Sequence, residues 1–185
     1  MEIVETPIQG CFIVKNDLFR DDRGYFFESF NQEKFSRLTG WSGSFVQDNQ
    51  SESSFGVVRG LHFQNGEYAQ AKLVRVIQGE IVDVVLDIRP ESPSFGVGFT
   101  ISLSESNENQ LFIPRGCAHG FSVISPTALF FYKCDNYYHK SSEWGIHPLD
   151  KDLNIDWQLS PEEVILSMKD SQAESWQDFK TRLEK

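Results

Sequence analysis

The stretch Lys72-Leu73-Val74-Arg75-Val76-Ile77-Gln78-Gly79-Glu80-Ile81-Val82-Asp83-Val84-Val85-Leu86-Asp87-Ile88 decides the fold class. Alternate residues of an extended chain share a face. Lys72, Val74 and Val76 therefore fall on one side of the first half, and Leu73, Arg75 and Ile77 on the other. In the second half Val82, Val84, Leu86 and Ile88 share a face, while Asp83 and Asp87 share the opposite one with Ile81 and Val85. Gly79 is the turn residue between the two.

Further strands are expected at Gly10–Val14, Gly24–Phe30, Phe45–Gln50, Val57–Phe63, Gly98–Leu103, Gln110–Ile113, Gly120–Ile124 and Thr127–Tyr132. So many short strands punctuated by Gly, Pro, Asn and Ser predict a mainly β protein, a sandwich, jelly roll or barrel. Two helices are expected. Asn31–Thr39 has a capping Asn31, apolar Phe35 and Leu38, and a following Gly40. Gln172–Glu184 sets Ala173, Trp176, Phe179 or Lys180, and Leu183 on one stripe, which reads as packing. With no repeat or linker, the 185 residues are expected to form one domain.

A formal charge of −10 argues against general nucleic-acid binding, which needs a basic face. An anionic ligand would need basic side chains gathered locally, and Arg23, Arg59, Lys72, Arg75, Arg115 and Lys169 stand beside glycines and aromatics. The apolar runs are interrupted by Asp83 and Asp87, far short of a membrane span. The start Met1-Glu2-Ile3-Val4-Glu5 lacks the pattern of a secretory signal, so a cytoplasmic location is expected. Cys11, Cys117 and Cys134 are odd in number and widely spaced, which predicts buried, reduced thiols.

The histidines pose the chemical question. Metal-binding jelly rolls of the cupin type present His-x-His on a strand and a further His near a Pro-x-Gly turn. Here the first motif reads His62-Phe63-Gln64, while Pro114-Arg115-Gly116-Cys117-Ala118-His119 retains the second. His62 and His119 alone are too few donors for a metal, so neither metal nor other cofactor is expected. Strict alternation would put Arg59 and His62 on opposite faces; a bulge at Gly60 would bring them together.

Seven segments in order then carry a resemblance: Arg23–Glu28, Phe45–Asn49, Val58–Gln64, Ala71–Arg75, Gly79–Val84, Pro114–Phe121 and Tyr132–Cys134. Together they resemble the dTDP-4-dehydrorhamnose 3,5-epimerase family over about residues 1–170. The resemblance implies a metal-free cupin-type jelly roll that epimerises C3 and C5 of a dTDP-4-keto-6-deoxyhexose. It implies His62 as general base oriented by Asp170, Tyr132 as the acid on the other face, and Lys72 as the holder of the C4 oxyanion. Arg23, Gln47, Asn49 and Arg59 match ligand contacts, largely to the diphosphate. Glu28 matches a contact to the thymine edge, Phe19 and Tyr138 match aromatic walls, His119 lines the sugar pocket, and Glu143 and Lys169 match further binding positions. A homodimer with N-terminal strand exchange is implied, in which Arg23 and Glu28 serve the neighbouring subunit.

Cys117, Met168 and Gly145–Asp150 depart from the family pattern, which Ile155-Asp156-Trp157 regains. Three other readings stay open: a relative acting at C3 or C5 alone or moving the ketone, a non-catalytic sugar-nucleotide binder, and a metal-dependent oxygenase. Asp83, in an apolar strand, either contacts the histidine region or faces solvent, and has no assigned part.

Overall fold

A computed structural model describes residues 1–183. In chain order the elements are β1 (Glu2–Glu5), β2 (Phe12–Lys15), β3 (Phe19–Asp21), β4 (Gly24–Phe26), α1 (Gln32–Thr39), β5 (Gln47–Ser54), β6 (Val58–Gln64), β7 (Lys72–Gln78), β8 (Glu80–Asp87), β9 (Gly98–Ser104), β10 (Gln110–Ile113), β11 (Cys117–Val123), β12 (Thr127–Cys134), β13 (Glu143–Gly145), α2 (Met168–Ser171) and α3 (Trp176–Leu183). One sheet has the order β1-β2-β10-β7-β12-β5 and a second the order β13-β6-β11-β8-β9; β3 and β4 form a separate hairpin. The result is the expected mainly β, cupin-like jelly roll.

The two halves of the opening stretch, β7 and β8, belong to different sheets, because Gly79 turns the chain from one to the other at φ +82°. An L side chain is strained there, and a Cβ would collide with the Thr127 carbonyl. Both faces of β8 are buried. Ile81 and Val85 face the interior between the sheets, with Val74, Val76, Leu111, Phe121 and Phe130. Val82, Val84 and Leu86 face outward, where Ile146, Trp157, Trp176 and Phe179 cover them. That second layer explains why β8 reads as an almost continuous apolar run.

The outer face of the six-stranded sheet is covered by α1. Asn31 caps this helix by accepting from the Lys34 amide at 3.0 Å, and Gly40 ends it at φ +73°. Such a cap contributes about 1 kcal/mol. Phe35 is fully buried against Phe112 and Trp41, worth roughly 2–3 kcal/mol of apolar transfer. Leu38, expected on the same apolar stripe, is 47% exposed.

The C-terminal helix is shorter than its stripe predicts. It begins at Trp176, after Ser175 accepts from the Asp178 amide as its cap, so Gln172 and Ala173 precede it; Glu184 lies outside the described residues. Cys11, Cys117 and Cys134 are buried free thiols, as expected. Among the described residues, no helix is long and apolar enough to cross a membrane.

Candidate active site

A cleft of about 310 Å³ opens between the two sheets, with a deeper recess of about 160 Å³ behind it. Strand alternation builds one wall. On the six-stranded sheet Cys134 pairs with Gln47 and Lys72, and Tyr132 pairs with Asn49 and Val74, so these rows share the inner face. The other wall comes from β6 and β11, where His62 and His119 are direct cross-strand partners. His62, Lys72 and Tyr132 line both cleft and recess; Arg59 and His119 line the recess.

Arg59 and His62 reach one cavity because β6 is irregular. Phe121 pairs with Arg59 and His119 with His62, so three steps on β6 oppose two on β11. This extra residue brings Arg59 into phase with His62, as the sequence required. Gly60 sits at the irregularity with φ +113°, against Gly120 of β11, and the Gly60–Leu61 peptide is cis. A Cβ on Gly60 would stand 2.6 Å from both the Gly120 Cα and the His119 carbonyl oxygen, so only glycine allows the strands this close.

His62 Nε2 meets Asp170 Oδ1 at 2.5 Å, joining residues 108 positions apart in the chain. Asp170 is 4% exposed and does not cap a helix. Ser167 is the cap of α2, accepting from the Asp170 amide and donating its hydroxyl to Asp170 Oδ2. Burial pushes the Asp170 carboxyl up. The bond and charge of His62, the Ser167 hydroxyl and the Lys169 charge outweigh that and hold it below the usual carboxylate range. Asp170 is thus an anion that fixes one imidazole nitrogen and leaves the other for the cleft.

Asp83 joins this region too. Its Oδ2 meets His119 Nε2 at 2.9 Å, and its Oδ1 is buried without a hydrogen-bond partner. His62 and His119 therefore each face a carboxylate, and Gln64 spends its amide on main-chain groups. Among the described residues no three His, Cys, Asp or Glu side chains gather as metal donors.

Two positive side chains, Arg59 and Lys72, line the recess, while the cleft sets Lys72 against Glu143. Burial lowers the Lys72 ammonium pKa, against the opposing pull of Cys134, Asp83 and Glu143. Among the described residues neither Lys72 nor Arg59 lies within ion-pair distance of a carboxylate; Arg59 Nε donates to Ser53 Oγ at 3.0 Å. Lys72 is partly buried and Arg59 exposed, and a partly buried cation without a partner anion suits a ligand that supplies one. Burial raises the Tyr132 phenol, with Cys134 and Glu143 adding to it and Arg59 opposing, so Tyr132 is a neutral donor near pH 7.

At the rim, Glu143 binds Lys169 Nζ at 2.6 Å through Oε1 and accepts from the Tyr138 hydroxyl at 2.9 Å through Oε2. Burial raises its carboxyl, and Lys169, Tyr138 and the His62 charge bring it below its ordinary value. Gln47 and Asn49 are joined side chain to side chain at 3.0 Å. Phe19, Arg23 and Glu28 lie outside this cleft. Arg23 is 90% exposed and pairs with Asp21; Phe19 is 64% exposed on the same hairpin; Glu28 pairs with Lys34 at 2.8 Å.

Sequence reasoning missed Gln64, Gln70 and Cys134 as cleft residues. Alternation alone would have found Cys134 from Tyr132 and Gln64 from His62. His139 and His147 are half-buried, and the His139 ring stacks on Tyr68 at 3.8 Å.

Residues 5–178 match the family model described as dTDP-4-dehydrorhamnose 3,5-epimerase. The chain belongs to this family. It is 51% identical over 170 residues to the dTDP-4-dehydrorhamnose 3,5-epimerase of Escherichia coli K12, covering 92% of this chain and 91% of that one. The 3,5-epimerase structure from Elizabethkingia anophelis NUHP1 superposes with TM-score 0.93 at 49% identity, covering 96% of this chain and 97% of that one. A Legionella pneumophila Philadelphia 1 epimerase, solved in complex with dTDP-4-keto-L-rhamnose, gives TM-score 0.90 at 47% identity, covering 94% and 92%.

Proposed function

We propose that this epimerase-family chain converts dTDP-4-dehydro-6-deoxy-D-glucose to dTDP-4-dehydro-L-rhamnose by inverting C5 and C3. The observation that carries the assignment is the placement of an imidazole–carboxylate pair on one sheet wall and a neutral tyrosine on the facing one, with Lys72 on the strand beside the tyrosine's. Epimerisation needs that geometry, because the proton must leave one face of the sugar ring and return to the other.

His62, held by Asp170, takes the proton from the carbon beside the ketone. The electron pair of that C–H bond forms the C=C bond, and the C4 carbonyl becomes an enolate oxyanion. Lys72 stabilises this charge more than the neutral ketone, which lowers the barrier. Collapse of the enolate takes a proton from the Tyr132 hydroxyl on the opposite face; His62 then gives its proton to solvent, the Tyr132 phenolate takes one back, and the sequence repeats at the second carbon. Asp170 keeps the imidazolium that forms in place, as a fixed anion does in other carboxylate–histidine pairs.

Arg59, Gln47, Asn49 and His119 bind the diphosphate and sugar, with guanidinium matched to phosphate oxygens. Tyr138 is an aromatic wall for the base, and Glu143 and Lys169 complete the rim. Phe19, Arg23 and Glu28 act in the cleft of a second subunit, in a homodimer that exchanges N-terminal strands. A cytoplasmic location suits an enzyme of nucleotide-sugar synthesis.

The test is turnover of dTDP-4-dehydro-6-deoxy-D-glucose in deuterium oxide. Deuterium at both C3 and C5, absent with His62→Ala, is the expected result. Label confined to one carbon would replace the assignment with a single-centre epimerase, and no label would remove the enzymatic reading.

A further inference from the structure

Gln64 occupies the position two residues after His62 where a metal-binding jelly roll carries its second histidine, and its side chain does something else. It is buried, 6% exposed, and shares the cleft-facing side of β6 with His62. Its Nε2 donates to the Tyr68 carbonyl at 2.8 Å and to the Tyr137 carbonyl at 3.2 Å, and its Oε1 accepts from the His139 amide at 2.6 Å. The amide between these two, that of Tyr138, donates to Gln47 Oε1 at 3.0 Å. Two glutamine side chains thus hold two successive peptide groups, Tyr137–Tyr138 and Tyr138–His139, of a segment that has no helix or strand pairing.

The ring those peptides carry is otherwise weakly held. Tyr138 is 52% exposed, and its hydroxyl reaches Glu143 while its face lines the cleft. An aromatic wall without core packing is in place before a ligand arrives only if its main chain is fixed, and a wall already in place costs the ligand less ordering.

We propose that Gln64 is a positioning residue that presets Tyr138 as the stacking wall for the nucleobase, so that it sets nucleotide affinity and leaves proton transfer alone. This rests on the nucleotide-sugar reading of the cleft. Gln64→Met removes all three hydrogen bonds at similar side-chain volume; Gln64→Glu keeps the acceptor for His139 and loses both donors. Either variant weakens dTDP binding and raises KM by roughly tenfold, the size set by losing one to two net hydrogen bonds, while kcat stays within about threefold.

The experiment titrates dTDP into wild type, Gln64→Met, Gln64→Glu, Tyr138→Ala and the Gln64→Met/Tyr138→Ala double variant by calorimetry, with kcat and KM measured alongside. In the Tyr138→Ala background the Gln64 change should cost less than about twofold, because the wall it presets is gone. Unchanged dTDP affinity in both Gln64 variants, a kcat loss as large as the KM rise, or full additivity with Tyr138→Ala each overturns the proposal. Wild type that fails to bind dTDP would instead overturn the nucleotide-sugar reading beneath it. Should Gln64→Met not fold, Gln64→Glu carries the same comparison.

Discussion

Lys72 keeps an ammonium group in a position that burial disfavours, with no carboxylate at ion-pair distance among the described residues. Two ligand groups can satisfy such a charge, a phosphate or a developing oxyanion, and they differ in when the interaction is strongest. A phosphate is bound equally in ground and transition states, so its loss appears in affinity. An oxyanion exists only as the proton leaves, so its loss appears in kcat. Lys72→Met is therefore expected to lower kcat by ~10²–10³ with dTDP affinity close to wild type. Stopped turnover assays beside calorimetry separate the two; collapsed affinity with kcat spared would reassign Lys72 to the phosphates. In the proposed chemistry Tyr132 complements this cation, since burial raises its phenol and keeps it protonated.

Between residues and sheet stands the β6 irregularity, where one glycine decides which side chains share a cavity. Gly60→Ala would place a Cβ against backbone atoms of β11 at φ +113°, so neither a rotamer change nor a side-chain shift relieves it. A loss of at least about 2 kcal/mol is expected from the backbone conformation alone, read as a lower urea midpoint. The kcat of the surviving folded fraction should fall too, because Arg59 and His62 no longer face one space. Wild-type stability and turnover would mean that the strands need no such approach. This bulge was legible beforehand, since Arg59 and His62 three residues apart cannot share a face of a regular strand. The long strands were legible for the same reason, from alternation in Lys72–Ile77 and Glu80–Ile88. β1, β3 and β13, of three or four residues with a charged or polar share, give too short a period to read. The Asp170–His62 and Asp83–His119 contacts were not derivable from spacing, because the fold alone closes gaps of 108 and 36 residues; family resemblance pointed to the first, and for the second the sequence left contact with the histidine region and exposure to solvent both open.

At the scale of the whole molecule, a chain of net charge −10 can gather an anionic ligand only against its own field, and it places Arg59 and Lys72 along its recess while holding Arg23 elsewhere. The β3–β4 hairpin projects Arg23 together with Phe19 and Phe26, 64% and 69% exposed, which is an expensive display of aromatic surface for an isolated chain. If that hairpin completes the cleft of a second subunit, each site of the homodimer draws His62 from one chain and Arg23 from the other. Arg23→Ala and His62→Ala should then each be nearly inactive alone. Unfolded and refolded together in equal amounts, they form mixed dimers in which one site carries both defects and the other neither. Half of the dimers are mixed and half of their sites intact, so about a quarter of wild-type activity returns, as two-fold symmetry dictates. Activity that stays at the level of the single variants after verified subunit mixing would mean that Arg23 serves its own chain or no site at all.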